Sequence, residues 1–571
     1  MLSSLKQQLI KALYSAGVTG SIELVTPPKP EMGEFAFACF NYAKKLNLNP
    51  AESAKILVED LQKEIAEIDI LDKVEAVGPY VNFYLNSSLL AEKILGSITP
   101  DYGKQEKKNK KVLIEYAQPN THKAFHIGHL RGTITGESLS RIMEMCGYNV
   151  VRVNYQGDVG MHIAKAIWAI IRNKEKYDSL KHSSVEEKVQ FLGMAYADGA
   201  KAFESDEKSK AEIVDINAKI YKQDKSIKEI YGETRAWSLE YFDKIYIKLD
   251  THFDRLFFES EVFERAIGIV KNFLIEHLFA ESEGAIIYRG STQGLHDRVF
   301  LSSMGLPTYE AKDLALAELQ FKEFNPDKII HVIAREQTEY LRVIFQVLER
   351  TLPNSRGKES HLAFGWVSLK SGKMSSRSGQ VVLAEDLIND INKKILGIME
   401  ESDIKNKEFI SEKVSLGALK YSFLKTGVHN DIVFDLEESV SLSGDSGPYL
   451  MYIVARINRI LDKAGSRNFF KKLFKKKNVL PKNIDSIEKQ LLMKLAEFND
   501  IIKIACDNHD PSKIAQYLFS VAQLFNNFYH ELPILKAENE DKKFRIEIIK
   551  SVHIVMTKGL YLLGISTVKE M

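Results

Sequence analysis

The stretch Glu115-Tyr116-Ala117-Gln118-Pro119-Asn120-Thr121-His122-Lys123-Ala124-Phe125-His126-Ile127-Gly128-His129-Leu130-Arg131-Gly132 decides how this chain is read. Before it, Val112-Leu113-Ile114 is a short apolar run of the length a buried strand uses. After it, Leu139, Ile142, Met143 and Cys146 recur at three- and four-residue spacing, one face of a helix that Gly147 stops. Val150-Val151-Arg152-Val153 reads as the next strand, so the spacing predicts strand, crossover helix and parallel strand. His126 and His129 therefore flank Gly128 at a helix entrance. Helix entrances carry free N–H groups and the positive end of the dipole, which suits phosphate, and two imidazoles add donors. A helix cap with incidental histidines fits His-X-Gly-His equally well, because so short a motif recurs by chance.

The rest of the chain supplies the context. At 571 residues it exceeds the roughly 250–300 at which single cores stop growing, which predicts two to four domains. Hydrophobic content of 45% and charged content of 27% are those of a soluble globular chain. A net charge of +1 confines any polyanion to local patches. Cys39, Cys146 and Cys506 are far apart and form no Cys-X-X-Cys pair, which argues against structural zinc or a disulfide framework. No apolar run approaches the roughly 18–20 residues of a membrane span, and the first residues open an amphipathic helix rather than a signal peptide. The expectation is a cytoplasmic protein with no membrane partner.

Residues 1–103 read as a small α+β module. Leu5, Leu9, Ala12 and Ala16 make a helical stripe, Ala51 to Leu61 a second helix, and Val74 to Leu85 strand, turn, strand. Lys104 to Lys111 reads as a charged, solvated hinge. Residues 110–386 form the nucleotide-fold unit. In it Gly157-Asp158-Val159-Gly160 follows a strand where open α/β sheets bind ligands. From about 174 to 255 a charged helical pattern reads as an insertion whose aromatics are packing residues. Strand character returns at Ala285 to Tyr288, Val299 to Leu301, Lys328 to Ile333 and Ala363 to Val367, predicted to complete a doubly wound parallel sheet. Between them Leu306 to Ala317 is a turn leading into a helix; after them comes the loop Ser371-Gly372-Lys373-Met374-Ser375-Ser376-Arg377-Ser378-Gly379. From 387 to 571 strands are hard to find, and Tyr449, Tyr452, Ile453, Ile457 and Ile460 mark a helix bundle. Within it Lys463 to Lys482 is basic and interleaved with Phe469, Phe470 and Phe474, a composition that suits an RNA backbone and equally a solvated loop.

His126-Ile127-Gly128-His129, followed roughly 240 residues later by Lys373-Met374-Ser375-Ser376-Arg377, resembles the paired signature of class I aminoacyl-tRNA synthetases. The finer resemblance is to the arginyl-tRNA synthetases and covers nearly the whole chain. It rests on Gly33-Glu34-Phe35-Ala36, Val77-Gly78-Pro79-Tyr80-Val81-Asn82-Phe83, Pro119-Asn120-Thr121-His122-Lys123, Gly157 to Gly160, Pro307-Thr308-Tyr309 to Asp313, Gly447-Pro448-Tyr449 to Arg456, and the end of the chain from Gly559 to Met571.

That resemblance implies a Rossmann-type catalytic domain with a helical insertion, an N-terminal tRNA-binding module and a C-terminal helical anticodon-binding domain. It also implies a monomer that joins L-arginine to tRNA(Arg) using ATP and Mg²⁺, without zinc. The implied ATP-contacting residues are His126, Gly128, His129, Lys373, Met374 and Ser375. Those for arginine are Glu115, Asn120, Tyr309, Asp313 and Gln337. A guanidinium never loses its charge, so a pocket built for it needs fixed acceptors, ideally carboxylates that receive two parallel N–H bonds. One departure concerns Ser376, which stands where the common pattern has a second lysine. Lys123 is the implied replacement, with Arg377 competing. Val159 stands where the family usually has tryptophan. The family also implies that efficient adenylate formation requires cognate tRNA. A small-molecule nucleotidyltransferase, a catalytically silent RNA-binding relative, and a cysteine or leucine specificity are the competing readings.

Overall fold

The computed structural model describes residues 2–65, 67–370, 382–401, 403–465, 481 and 483–571. Lys373, Met374, Ser375 and Arg377 lie outside them, as does nearly all of the basic stretch after Lys463.

Five strands form the central sheet, numbered in chain order β1 (Lys111–Glu115), β2 (Asn149–Gln156), β3 (Arg255–Phe258), β4 (Lys328–Ala334) and β5 (Glu359–Phe364). All neighbours run parallel, in the order β5-β4-β1-β2-β3. The valine and isoleucine runs in β1, β2 and β4 fit strands covered on both faces. The order reverses between β1 and β4, the switch point of a doubly wound sheet, where a crevice opens beyond the strand ends.

Six helices bear on the site, α1 (Ile127–Met145), α2 (Met161–Arg172), α3 (Val185–Ser205), α4 (Lys225–Lys248), α5 (Tyr309–Phe324) and α6 (Thr338–Thr351), the last two lining the crevice. Helices occupy the chain from α2 to α4 and pack around their own core of Val159, Ile163, Ile167, Phe191, Ile213 and Trp237. Val159 is thus an interior packing residue.

The N-terminal module joins the helices Leu2–Ser15 and Pro50–Glu64 to a four-stranded antiparallel sheet. Asn49 caps the second helix, its side chain accepting from the Ala51 N–H. At the other end of the chain the helices Lys407–Leu424, Gly447–Lys463, Ser486–Ala496, Ser512–Glu531 and Asn539–Leu562 form the bundle.

Three expectations need correction. Ala285–Tyr288 and Arg298–Leu301 do not extend the parallel sheet; with Ala280–Ser282 they make a separate antiparallel sheet of three strands. A strand does occur beyond residue 387, because Ile432–Phe434 pairs in parallel with Val367–Leu369. The segment Lys104–Lys111 is no free hinge. Its backbone bonds to the end of α1, Gln105 N–H to the Met145 carbonyl and Lys108 N–H to that of Gly147.

Helix α1 is the hub. Every residue from Leu130 to Met143 is buried, between the sheet on one side and the bundle helices on the other. So complete an enclosure leaves no room for side chains at the closest approach. A Cβ on Gly136 would stand 2.2 Å from Cγ of the buried Tyr116 ring. Gly136→Ala is expected to destabilise the protein by about 1–3 kcal/mol through overpacking. Thermal unfolding measures this, and an unchanged Tm would show that the ring gives way freely.

Candidate active site

His126 is the N-cap of α1, and the two histidines close the helix end between them. The Gly128 N–H donates to His126 Nδ1 at 3.1 Å, and the His126 N–H donates to His129 Nδ1 at 3.2 Å. A nitrogen that accepts an N–H carries no proton, so each neutral ring bears its proton on Nε2 and points that donor away from the helix. The rings stack with centroids 3.7 Å apart. Burial, then the Lys123 charge, holds His126 below the ordinary imidazole range. Burial, His126 and Lys123 together push His129 well below it. Helix cap and donor pair are therefore one arrangement. Gly128 permits it, since a Cβ there would sit 3.0–3.1 Å from the His126 ring.

The Lys123 charge acts on both rings, and its ammonium lies over the Tyr196 ring of α3 at 4.8 Å. Of the described residues flanking 371–381, those on the C-terminal side also reach this place. Val382 accepts the Ile127 N–H at 3.0 Å, Ala384 N–H donates to the Phe125 carbonyl, and on the other side Lys370 N–H donates to Phe434.

Beyond the ends of β1 and β4 lies a cavity of about 440 Å³. The structure brings Glu115, Asn120, Tyr309, Asp313 and Gln337 together around it. Glu115 ends β1, deeply buried. Its Oε1 receives Gln118 Nε2 at 2.9 Å and faces His331 Nδ1 at 3.3 Å, while its Oε2 receives Gln320 Nε2 at 2.7 Å. Burial alone would raise its pKa; His331 and the amides outweigh burial and hold it below the usual carboxylate range. Asp313, one turn into α5, receives the Tyr340 hydroxyl of α6 at 2.6 Å. With so little to oppose burial, its pKa is pushed up to about 7. Asn120 folds its amide over Gly157, where a Cβ would collide with Asn120 Oδ1 at 2.0 Å.

Five carboxylates line the cavity, Glu115, Glu259, Glu310, Asp313 and Glu359. Lys312 meets Glu259 at 2.6 Å, Arg298 meets Glu310 at 3.6 Å, and His331 stands between Glu115 and Glu359. Five acids against three cations leave an excess of two negative charges among the described residues once all are ionised. Several buried polar atoms here have no partner among those residues, Tyr155 Oη, Gln320 Oε1 and Glu359 Oε1 among them. Unpaired polar groups at a cavity wall are free to meet a ligand. The site is therefore made for a cationic guest. No three His, Cys, Asp or Glu side chains of the described residues gather as ligands for a metal ion.

The residues missed by sequence reasoning are His331, Gln118, Gln320, Tyr340 and Glu359. His331 did leave a signal, a single ionisable side chain inside the apolar run Ile329-Ile330-His331-Val332-Ile333.

A doubly wound parallel sheet with a histidine-capped helix beside the crevice at its switch point is a nucleotide-binding arrangement, and comparison with known families places it among the class I tRNA synthetases. Residues 92–436 match the profile "tRNA synthetases class I (R), catalytic domain". Residues 2–85 match "Arginyl tRNA synthetase N terminal domain", and 450–571 match "DALR anticodon binding domain". The arginine--tRNA ligase of Clostridium acetobutylicum is 33% identical over 98% of this chain and 97% of its own. That of Clostridium perfringens is 31% identical over 95% of each. The chain belongs to the arginyl-tRNA synthetases. Its fold matches the solved structure titled Thermus thermophilus arginyl-tRNA synthetase, with a TM-score of 0.79 over 100% of both chains at 24% identity. The Plasmodium falciparum structure matches at 0.76, covering 100% of this chain and 99% of that one at 21% identity.

The Asp313 carboxyl is expected to titrate near pH 7 in the ligand-free protein. Tyr340→Phe should raise it further, because the hydroxyl donates to the ionised form. Difference infrared spectra of the carboxyl stretch across a pH titration, with Asp313→Asn as reference, measure both. A carboxyl fully ionised at pH 5 would refute the account.

Proposed function

We propose that the cavity between Glu115 and Asp313 takes the guanidinium of L-arginine, in an enzyme that ligates arginine to tRNA(Arg) through an arginyl-adenylate. The excess negative charge of that cavity carries the proposal. Asp313 has spare acceptor sites on both oxygens and suits two parallel N–H bonds from the planar fork; Glu115, already holding three donors, has room for one more. Tyr309, Asn120 and Gln337 also line the cavity; in this reading Tyr309 offers a ring face or hydroxyl, and Asn120 and Gln337 are available for the α-amino and carboxylate ends. Lysine offers a single ammonium and leaves one acid unpaired. A neutral analogue leaves both unpaired, which costs several kcal/mol.

In the first step an oxygen of the arginine carboxylate attacks the α-phosphorus of ATP. The bond to the bridging oxygen breaks, and pyrophosphate leaves. Charge grows on the phosphoryl oxygens, and the Nε2–H donors of His126 and His129 face it with their positions already fixed. Lys123 adds a positive charge beside them, in the place of the cation that Ser376 lacks, and Lys373 meets the outer phosphates. In the second step the 2′-hydroxyl of the terminal adenosine attacks the adenylate carbonyl, and AMP leaves. Mg²⁺ would arrive on the ATP phosphates and share their charge, which requires no cage of protein ligands.

The N-terminal module and the helix bundle serve tRNA, the bundle at the anticodon. We take the enzyme to be a cytoplasmic monomer. Three buried free thiols suit a reducing compartment, and no helix among the described residues is long and apolar enough to cross a membrane.

Aminoacylation of total tRNA with arginine, lysine, glutamine, cysteine and leucine tests the specificity, and charging by arginine alone is expected. Lys123→Ala is expected to slow arginine-dependent ATP–pyrophosphate exchange, measured with tRNA present, by roughly 10²-fold at unchanged Tm. Unchanged exchange would remove Lys123 from the mechanism. His126→Asn separates the two jobs of that ring. Its amide oxygen replaces Nδ1 as the helix cap, while nothing replaces Nε2–H. A loss of about 10²–10³-fold in exchange with Tm preserved is expected; full activity would show that the cap alone matters.

A further inference from the structure

Beneath Glu115 the wall of the cavity holds a group with no part in the mechanism above. His331 lies on β4 directly across from Glu115 in the register of β4 with β1. Its Nδ1 faces Glu115 Oε1 at 3.3 Å and its Nε2 faces Glu359 Oε2, on β5, at 2.8 Å. A neutral imidazole has one N–H, so one of these contacts would then set lone pair against lone pair. Only the imidazolium satisfies both.

We propose that His331 is a positioning and specificity-determining residue: as an imidazolium held between Glu115 and Glu359, it fixes the Glu115 carboxylate that receives the guanidinium, and so sets the affinity for arginine. The inference rests on the reading of Glu115 as a guanidinium acceptor.

Three observations support it. First, the contacts on Glu115 leave it one direction of approach for a ligand N–H. Gln118 and His331 occupy Oε1, and Gln320 holds Oε2. Second, the charge is needed. Without it Glu115 and Glu359 would face each other across the ring with no cation between them in a buried wall. Third, the surroundings favour the charged ring. Burial opposes it, but Glu115 and Glu359 outweigh burial and raise the imidazole well above its ordinary range. The other titratable groups facing the ring are Asp313 from α5 and His361 from β5, and from α6 the uncharged Phe345 covers its face at 5.6 Å between centroids.

Raising the pH through the imidazolium's titration removes a donor from Glu115 and weakens arginine binding. The pH dependence of kcat/KM for arginine should therefore fall on its alkaline side, apart from the rise near pH 7 that Asp313 contributes.

The test is steady-state aminoacylation by the full chain with tRNA, varying arginine and then ATP, from about pH 6 to about pH 10. His331→Asn is expected to raise KM for arginine by roughly tenfold or more, with a smaller change in kcat and KM for ATP within about twofold. Glu359→Gln removes one of the two anions that hold the proton, so the alkaline fall should move toward lower pH. This variant keeps the proposal testable where His331→Asn fails to fold. A wild-type KM for arginine in His331→Asn, or an alkaline limb unmoved in Glu359→Gln, overturns the role of His331. Glu115→Gln distinguishes the two failures. If it too leaves KM for arginine unchanged, the pocket reading falls and the His331 proposal with it; if it raises KM while the other variants do nothing, only His331 is eliminated.

Discussion

The burial of α1 is the constraint from which the catalytic geometry follows. Its Arg131 is fully buried, the guanidinium donating to the backbone carbonyls of Val428 and Asn430 at 3.0 and 3.2 Å, and burial lowers its pKa to about 10. Further along, Glu137 binds both Arg141 and Arg152, at 2.6 and 3.0 Å, and Arg152 reaches Glu144 at 2.5 Å. Breaking such buried pairs by removing one partner is costly, about 3–5 kcal/mol. These contacts tie the helix to its surroundings, and the backbone bonds at its first turn hold the two imidazoles that cap it. Donors fixed before the reaction spend nothing on reorganisation when charge develops. The helix bundle, distant from the chemistry in sequence, thus acts on it by enclosing α1.

A second constraint is electrostatic. A cavity with two more acids than cations repels itself when empty. Asp313 relieves this by holding its proton up to about pH 7, whereas Glu115 is kept ionised by His331 and two amides. A guanidinium bound as proposed would reverse the balance at Asp313 and draw the carboxylate out. In the proposed pocket the acid that discriminates would be the one least committed to the protein, and the acid that orients the one most committed. This division suits the discrimination problem, because arginine exceeds lysine in the number and plane of its N–H groups rather than in its charge.

How far the sequence discloses this depends on the range of the interactions involved. The histidine loop, the helix after it and the next strand are local, and periodicity with motif spacing was enough to find them. The five residues assigned to arginine lie far apart in sequence yet converge on one cavity. They were reachable only through resemblance, since nothing in the spacing of Glu115 and Asp313 shows that β1 and α5 meet. Pairing partners were the weak point. Val299 to Leu301 carries good strand character, but strand character does not specify which sheet a strand joins or in which direction. Ile432–Phe434, at three residues, is too short to show alternation. Lys104 to Lys111 looked solvated because its side chains are charged, although its backbone is tied to α1. His331 escaped because its meaning lies across the sheet, in register with Glu115.

The insertion has its own explanation in the loops it grips. Between β1 and α1 the chain turns through three non-glycine residues of positive φ, Ala117 at 76°, Gln118 at 49° and His122 at 62°. Conformations of this kind cost roughly 1–3 kcal/mol each and persist only where the surroundings impose them. Helix α4 imposes one of them. Thr234 Oγ1 meets His122 Nε2 at 2.8 Å, and Ser238 Oγ accepts the His122 N–H at 2.9 Å. Burial, with Arg235 adding to it, lowers the His122 pKa to about 3, so the ring stays neutral. The same helix holds the loop after β2. Arg235 pairs with the buried Asp158 at 2.8 Å, and the Tyr231 hydroxyl donates to the Asp158 carbonyl. The two loops meet where Asn120 bridges to Gly157. One helix of the insertion thus braces both loops, and the first of them carries Asn120 and continues through Lys123 into the histidine cap. Under the proposed assignment, strain in that loop and support from α4 would hold the two substrates of the first step in one fixed relation.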